Sequence, residues 1–243
     1  MKTIEIAAQA MQGDLQRLAQ IGQNLANVQT AGYKRVVNAQ RPFTLEMQAA
    51  EMQAAETRAA APQADQTIDM TPGALRATGN PMDVAIDGEG FFAVETAQGP
   101  ALTRQLSLHL DAQGALVNAA GLSVWGDRGA LRAGAAGAAL RIDARGELWA
   151  DGRSIGRLQV LRVPDSAALQ PLGGGLYRAG DGGLGDAAPG AKVVVGYQEA
   201  SNVNSSSEMV SLMETSRHFE ALARTVQGYD EAMEKAIRKL GDL

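Results

Sequence analysis

The sequence contains no cysteine, so it can hold neither a disulfide framework nor a thiolate metal site. Histidine is almost as scarce: the only two, His109 and His218, lie far apart in the chain, which argues against a zinc cluster. Aromatics make up 4% of the 243 residues while glycine numbers 28, a balance that suits many turns and a thin core. A basic surplus is missing too. The net charge of −5 and pI near 5.1 argue against a nucleic-acid footprint. No apolar run approaches membrane-spanning length, so direct membrane insertion is not expected. The first residues also lack the apolar stretch of a secretory signal. That points to a cytoplasmic chain, or to one exported by a route that reads no cleavable signal. The length allows one large domain or two modest ones.

What is present begins with two long helical patterns at the chain ends. Near the C-terminus, Leu212, Ser216, Phe219, Ala223, Val226, Asp230, Met233, Ile237 and Leu240 step alternately by four and three, close to a coiled-coil repeat. Ser205 and Glu208 have the spacing of a capping box, and Gly241 follows as a stop. Near the N-terminus, Ile4, Ala8, Met11, Leu15, Leu18, Gly22 and Leu25 step in the same way between Thr3 and Val28. Periodicity alone is met equally well by an ordinary amphipathic helix lying on its own domain. Both stripes sit at chain ends with β-type sequence between them, which favours pairing of the two helices. Small residues at Ala8 and Gly22, facing Ala223 or Ser216, would allow close approach.

Between the ends the chain changes character. Asn27, Thr30 and Gly32 read as a helix terminus, with Gly32 free to take positive φ. Leu45–Ala60 is either a helix or a tether, and composition does not separate the two. Met82–Ile86 alternates as a strand, Asp87–Gly90 turns and Phe91–Val94 returns, which predicts a hairpin. Asp111-Ala112-Gln113-Gly114 and Asp143-Ala144-Arg145-Gly146 share one turn pattern before a strand, with Asp127-Arg128-Gly129 a shorter relative. Leu158–Val163 and Lys192–Tyr197 supply further strands, and Gly173–Gly190 reads as loops. The fold class expected is α+β: terminal helices pairing as a coiled-coil-like unit around a central, mainly-β domain of short antiparallel strands. The divisions are 1–35 for the first helix, 36–68 for a connector, 69–200 for the β-rich domain and 201–243 for the last helix.

Three enzyme-like patterns lack their structural context. Gly152-Arg153-Ser154-Ile155-Gly156 spells a nucleophile elbow, but a turn precedes it and a strand pattern follows, where the elbow needs strand and then helix. A serine hydrolase using Ser154 is therefore the minor alternative. Gly180-Asp181-Gly182-Gly183-Leu184-Gly185 spells a dinucleotide fingerprint with no helix to follow. It nearly matches a calcium nonapeptide, but Ala187 stands where a carboxylate belongs. His109 and Asp111 share a strand face without a nucleophile beside them. Trp125 and Trp149 read as core, and His218 as a rim residue of the helical seam. No catalytic residue, cofactor or metal site is expected.

The wording of both ends carries a further signal. Asn24-Leu25-Ala26-Asn27-Val28-Gln29-Thr30-Ala31-Gly32-Tyr33-Lys34-Arg35 resembles the N-terminal signature of the flagellar hook–basal-body rod proteins. Gly196-Tyr197-Gln198-Glu199-Ala200-Ser201-Asn202-Val203-Asn204, followed by Glu208-Met209-Val210 and Ser216-Arg217-His218-Phe219-Glu220, resembles the C-terminal one. Asp69-Met70-Thr71-Pro72-Gly73, Pro81–Ile86 and Leu102-Thr103-Arg104 are similar to the same family, most of all to its proximal-rod branch. The resemblance implies a non-enzymatic structural subunit of the rod, the shaft that crosses the periplasm, with a distal-rod or hook-type subunit as the alternative. Implied partners are other copies, other rod proteins and the flagellar type III export apparatus. On this reading Leu15, Leu18, Leu25, Phe219, Val226 and Met233 carry assembly. Asn24, Asn27, Gly32, Asn202 and Val203 shape the joint between helices and β-domain.

Overall fold

The computed structural model describes residues 2–38, 66–135, 137–143, 145–163, 169–179, 185–188 and 190–241. The stretch Leu45–Ala60 lies outside these, as do residues 180–184 of the glycine-rich fingerprint. The chain forms two compact units, one made of residues 1–28 with 203–243 and the other of residues 29–202.

The first unit is a pair of helices in contact, α1 (Lys2–Ala26) and α2 (Ser205–Gly241). On α1 the inward positions include two rows of period seven, Ile4, Met11, Leu18 and Leu25 with Ala7, Asp14 and Ile21, and the buried Gln20 and Asn24 beside them. On α2 they are Leu212, Phe219 and Val226, with Glu208, Thr215, Leu222 and Tyr229. One row of each helix is the expected one; on α1 its companion is displaced by one residue, while on α2 the expected Ser216 and Ala223 are half-buried beside Thr215 and Leu222. The reason is chemical. Asp14 occupies an inward site, so an apolar template prefers its neighbour Leu15. Ala8 and Gly22 are consequently exposed, and a Cβ at Gly22 would meet nothing within 4 Å, so neither permits a close approach. The cap also differs: Asn204, not Ser205, caps α2, its Oδ1 accepting the Ser207 N–H at 3.2 Å.

The described residues of the second unit form strands and turns, with no helix among them. Its strands are β1 (Val36–Asn38), β2 (Gln66–Ile68), β3 (Leu75–Ala77), β4 (Asp83–Asp87), β5 (Phe91–Thr96), β6 (Gly99–Thr103), β7 (Gln105–Ser107), β8 (His109–Leu110) and β9 (Leu116–Val117). There follow β10 (Trp125–Gly126), β11 (Gly129–Ala130), β12 (Leu140–Ile142), β13 (Glu147–Ala150), β14 (Arg153–Arg157) and β15 (Val160–Leu161). The last four are β16 (Gln170–Gly173), β17 (Leu176–Arg178), β18 (Lys192–Val195) and β19 (Tyr197–Glu199). All described pairings are antiparallel. The largest sheet runs β15-β5-β6-β17-β16, and a second runs β18-β4-β7.

Strand β5 explains the core. Its run Phe91-Phe92-Ala93-Val94 is buried throughout, because alternate residues serve different clusters. Phe92 and Val94 join Val84, Leu106, Leu116 and Leu148 on one side, while Phe91 and Ala93 join Leu102, Leu161 and Tyr177 on the other. The predicted hairpin of β4 with β5 does not form: β4 pairs with β18 and β7, and β5 pairs with β6 and β15. The carbonyls that would close such a turn point elsewhere. Those of Gly88 and Gly90 accept hydrogen bonds from the Arg104 guanidinium, at 2.9 and 2.6 Å, and the chain swings into the other sheet.

The repeated turns are as expected at two sites. Asp111 Oδ1 accepts the N–H groups of Gln113 and Ala115, and Asp143 Oδ1 those of Arg145 and Glu147. The Glu147 N–H, more than anything else, holds the Asp143 carboxyl below its ordinary range. The third member of the set is Asn118, not Asp127. Asn118 Oδ1 accepts from Ala120 and Leu122, and Gly121 takes φ +76°, as Gly114 and Gly146 take +73°.

Candidate functional site

A buried polar cluster closes the β unit where the chain enters and leaves it. Glu199, on the last strand, is 1% exposed and accepts from two cations: Lys34 Nζ at 2.6 Å and Arg104 Nε at 2.7 Å. Its Oε1 also accepts the Gly73 N–H at 2.8 Å. Lys34 Nζ makes a second bond, to the Thr71 carbonyl at 2.7 Å. Burial holds the Lys34 amine below the ordinary lysine range, and the hydrogen bond and charge of Glu199 oppose that shift. The Tyr177 hydroxyl accepts the Lys34 N–H at 2.6 Å, and burial pushes its phenol above the ordinary value.

Backbone contacts complete the closure. The Gly32 N–H donates to the Glu199 carbonyl at 2.7 Å. Asn202 Oδ1 accepts the Arg35 N–H at 2.7 Å, while its Nδ2 donates to the carbonyls of Asp69 and Thr71. Three segments distant in sequence, residues 32–35, 69–73 and 199–202, are thereby tied into one corner. Gly73 lets them meet, since a Cβ there would fall 1.9 Å from the Ala200 carbonyl oxygen.

Of the expected joint residues, Gly32 and Asn202 meet in this corner. Gly32 has φ +69° but lies beyond the end of α1, so its N–H serves Glu199 and not the helix. Asn27 instead ends α1, its Nδ2 donating to the Gln23 carbonyl at 2.9 Å. Asn24 and Val203 are buried. Among the expected assembly residues, Leu18, Leu25, Phe219 and Val226 are half-buried on inward rows of the helix pair. Leu15 and Met233 face outward, 54% and 47% exposed. Ile6, Met209, Val210 and Met213 are exposed as well. By length, α2 has 37 residues against 25 for α1, a surplus of about 18 Å at 1.5 Å per residue. Residues 231–235 within that surplus are exposed.

Lys34, Arg104, Glu199, Gly73 and Tyr177 were not among the residues expected to act. A signal for three of them existed. Lys34 and Glu199 stand in the two terminal signature runs, and Arg104 closes Leu102-Thr103-Arg104, each a charge inside otherwise strand-like text. The enzyme-like motifs resolve into β-structure. Ser154 lies on β14 in a hairpin with β13, and its hydroxyl donates to Glu147 Oε1 at 2.7 Å, with a strand and no helix following. His109 is exposed on β8. His218 Nδ1 lies 2.7 Å from Asp14 Oδ2, bridging the two helices. Trp125 packs at the edge of the second cluster.

Comparison with known proteins gives this geometry its context. The profile described as "Flagellar basal body rod FlgEFG protein C-terminal" matches residues 194–239, which include Glu199 and most of α2. The profile "Flagellar hook protein FlgE/F/G D1 domain" matches residues 85–150, which include Arg104. The chain is 31% identical to the flagellar basal-body rod protein FlgF of Escherichia coli (strain K12) over 241 residues, 93% of each chain. It is 27% identical to the flagellar basal-body rod protein FlgG of Bacillus subtilis (strain 168) over 253 residues, 91% of this chain and 92% of the relative. It is 34% identical to the flagellar hook protein FlgE of Rhizobium meliloti (strain 1021) over 125 residues, which span 51% of this chain and 30% of that one. The chain belongs to the flagellar hook and basal-body rod FlgE/F/G family, and is a structural subunit, not an enzyme.

Proposed function

We infer that this chain is a subunit of the proximal rod, of the FlgF type, which assembles through its two terminal helices into the axial shaft. The observation that carries this reading is the outward apolar surface of the helix pair, Ile6, Leu15, Met209, Val210, Met213 and Met233. A pair already closed within one subunit has no intramolecular use for such a surface. Contacts of one copy's outer face with a different face of the next, where they do not close, generate a helical shaft instead of a ring. Leu18, Leu25, Phe219 and Val226 then hold the pair together, while Leu15 and Met233 meet neighbouring copies. Asn24, Asn27, Gly32, Asn202 and Val203 shape the joint between the helices and the β unit. Partners are sister copies and other rod proteins. Delivery is by the flagellar type III apparatus.

The FlgF type is favoured by length, by the run from Asp69 to Ile86, and by the 31% identity to the Escherichia coli FlgF protein. Its neighbour in kind, the distal rod, has support in the FlgG matches. Labelling the chain along purified basal bodies separates them, since a proximal subunit lies at the inner-membrane end. The assembly reading itself is tested by changing Phe219 and Val226 to Asp. Both tryptophans lie in the β unit, so their fluorescence reports its folding independently of the helices. The doubly substituted protein should keep native tryptophan fluorescence and form no rods. Motile cells with normal rods would refute the reading.

A further inference from the structure

The Lys34–Glu199–Arg104 cluster plays no part in the assembly argument and stands independently of it. Its three charged groups come from the start, middle and end of the β unit, and 165 residues separate Lys34 from Glu199. Among the described residues, Glu199 supplies the one carboxylate hydrogen-bonded to either cation. Asp69 acts on Lys34 only through space, and as the smallest of the influences on it. Lys34 is buried, with Thr71 and Glu199 holding its amine and Tyr177 its backbone N–H. Burying a cation with its anion is tolerable; burying it alone is strongly unfavourable. A β unit assembled without its last strand would therefore have to enclose two bare cations or leave its first segment open.

We propose that Glu199 is a completion lock: the β unit closes around Lys34 and Arg104 only when β19 brings the carboxylate, and a chain not yet finished to that strand stays open. The backbone reinforces the dependence. The Gly32 N–H and the Gly73 N–H both end on Glu199, so the first segment and the 69–73 segment lose their anchor together when it is absent. A chain that emerges N-terminus first thus gains no closed domain before its C-terminal helix is about to follow.

The test uses full-length protein. Glu199→Gln keeps the shape and removes the charge, and should lower the folded population of the β unit by about a hundredfold or more in urea titrations read by tryptophan fluorescence. Adding Lys34→Met to Glu199→Gln removes one stranded cation and should recover about tenfold of that loss or more. Packing alone predicts the opposite, a further loss on the second truncation. In refolding of the unaltered protein with pulsed hydrogen exchange, amides of residues 33–36 should gain protection together with those of residues 197–199. The proposal is overturned if Glu199→Gln folds as well as the unaltered protein, if the double substitution is no better than the single one, or if residues 33–36 are protected first.

Discussion

Replacing Gly73 with alanine probes the closed corner with a single methyl group. The added carbon would lie 1.9 Å from the Ala200 carbonyl oxygen and 3.0 Å from its carbonyl carbon, both backbone atoms, with the Glu199 Cγ next at 3.3 Å. Relief requires the 71–74 and 199–202 segments to part by about 1 Å, which carries hydrogen bonds of 2.8 Å beyond useful reach. Of the bonds that cross this gap, two lie nearest the added methyl: Gly73 N–H to Glu199 Oε1, and Ala200 N–H to the Ala74 carbonyl. The first ends on a carboxylate and contributes about 1.5–3 kcal/mol, the second about 0.5–1.5 kcal/mol. Gly73→Ala should therefore destabilise the β unit by about 2–4.5 kcal/mol. Urea unfolding followed by tryptophan fluorescence measures this directly. A variant within about 0.5 kcal/mol of the unaltered protein would show that the corner is not closed as described.

Other substitutions separate neighbouring claims. Gly22→Ala on the exposed face of α1 meets no atom within 4 Å and should stabilise the helix pair by up to about 1 kcal/mol, seen as a higher helical melting midpoint by circular dichroism. Asn202→Ala removes the acceptor for Arg35 and the donor to Asp69 and Thr71, and should cost the β unit about 1–3 kcal/mol in the same urea assay. Tyr177 supplies a pH dependence. Its phenol is raised above the ordinary 10.0 mainly by burial, so above that pH the unfolded chain releases a proton that the folded chain keeps. Stability from this group is complete below pH 10 and falls as pH rises beyond it; Tyr177→Phe should flatten that decline in melting curves taken across pH 9–11. Ser154→Ala, at an exposed site with one partner on the neighbouring strand, should change stability by less than about 0.5 kcal/mol in thermal melts.

Local chemistry was legible in the sequence and long-range chemistry was not. The turns at Asp111 and Asp143 could be read directly because donor and acceptor lie within four residues of each other. Asn118 follows the same rule and escapes notice only because its turn opens on an amide in place of a carboxylate. The helices were legible as elements, yet one inward row of α1 was misplaced by one position where Asp14 interrupts the apolar pattern. The β4–β5 hairpin failed for a different reason. Arg104 takes the turn's carbonyls, and nothing near residues 83–94 announces that. The buried corner is the extreme case. Lys34, Arg104 and Glu199 each look like an ordinary surface charge, and only the fold brings them within 2.7 Å. Family wording marked all three runs but not their shared purpose.

The central claim is that the outer faces of the terminal helices meet neighbouring subunits, and the absence of cysteine allows a clean measurement. Leu15→Cys and Met233→Cys each place the only thiol of the chain on an exposed site. Maleimide labelling is then compared between isolated subunits and purified basal bodies. The account predicts rapid labelling of both thiols in the isolated subunit and strong protection in the assembled rod. Equal labelling in the two states would contradict it.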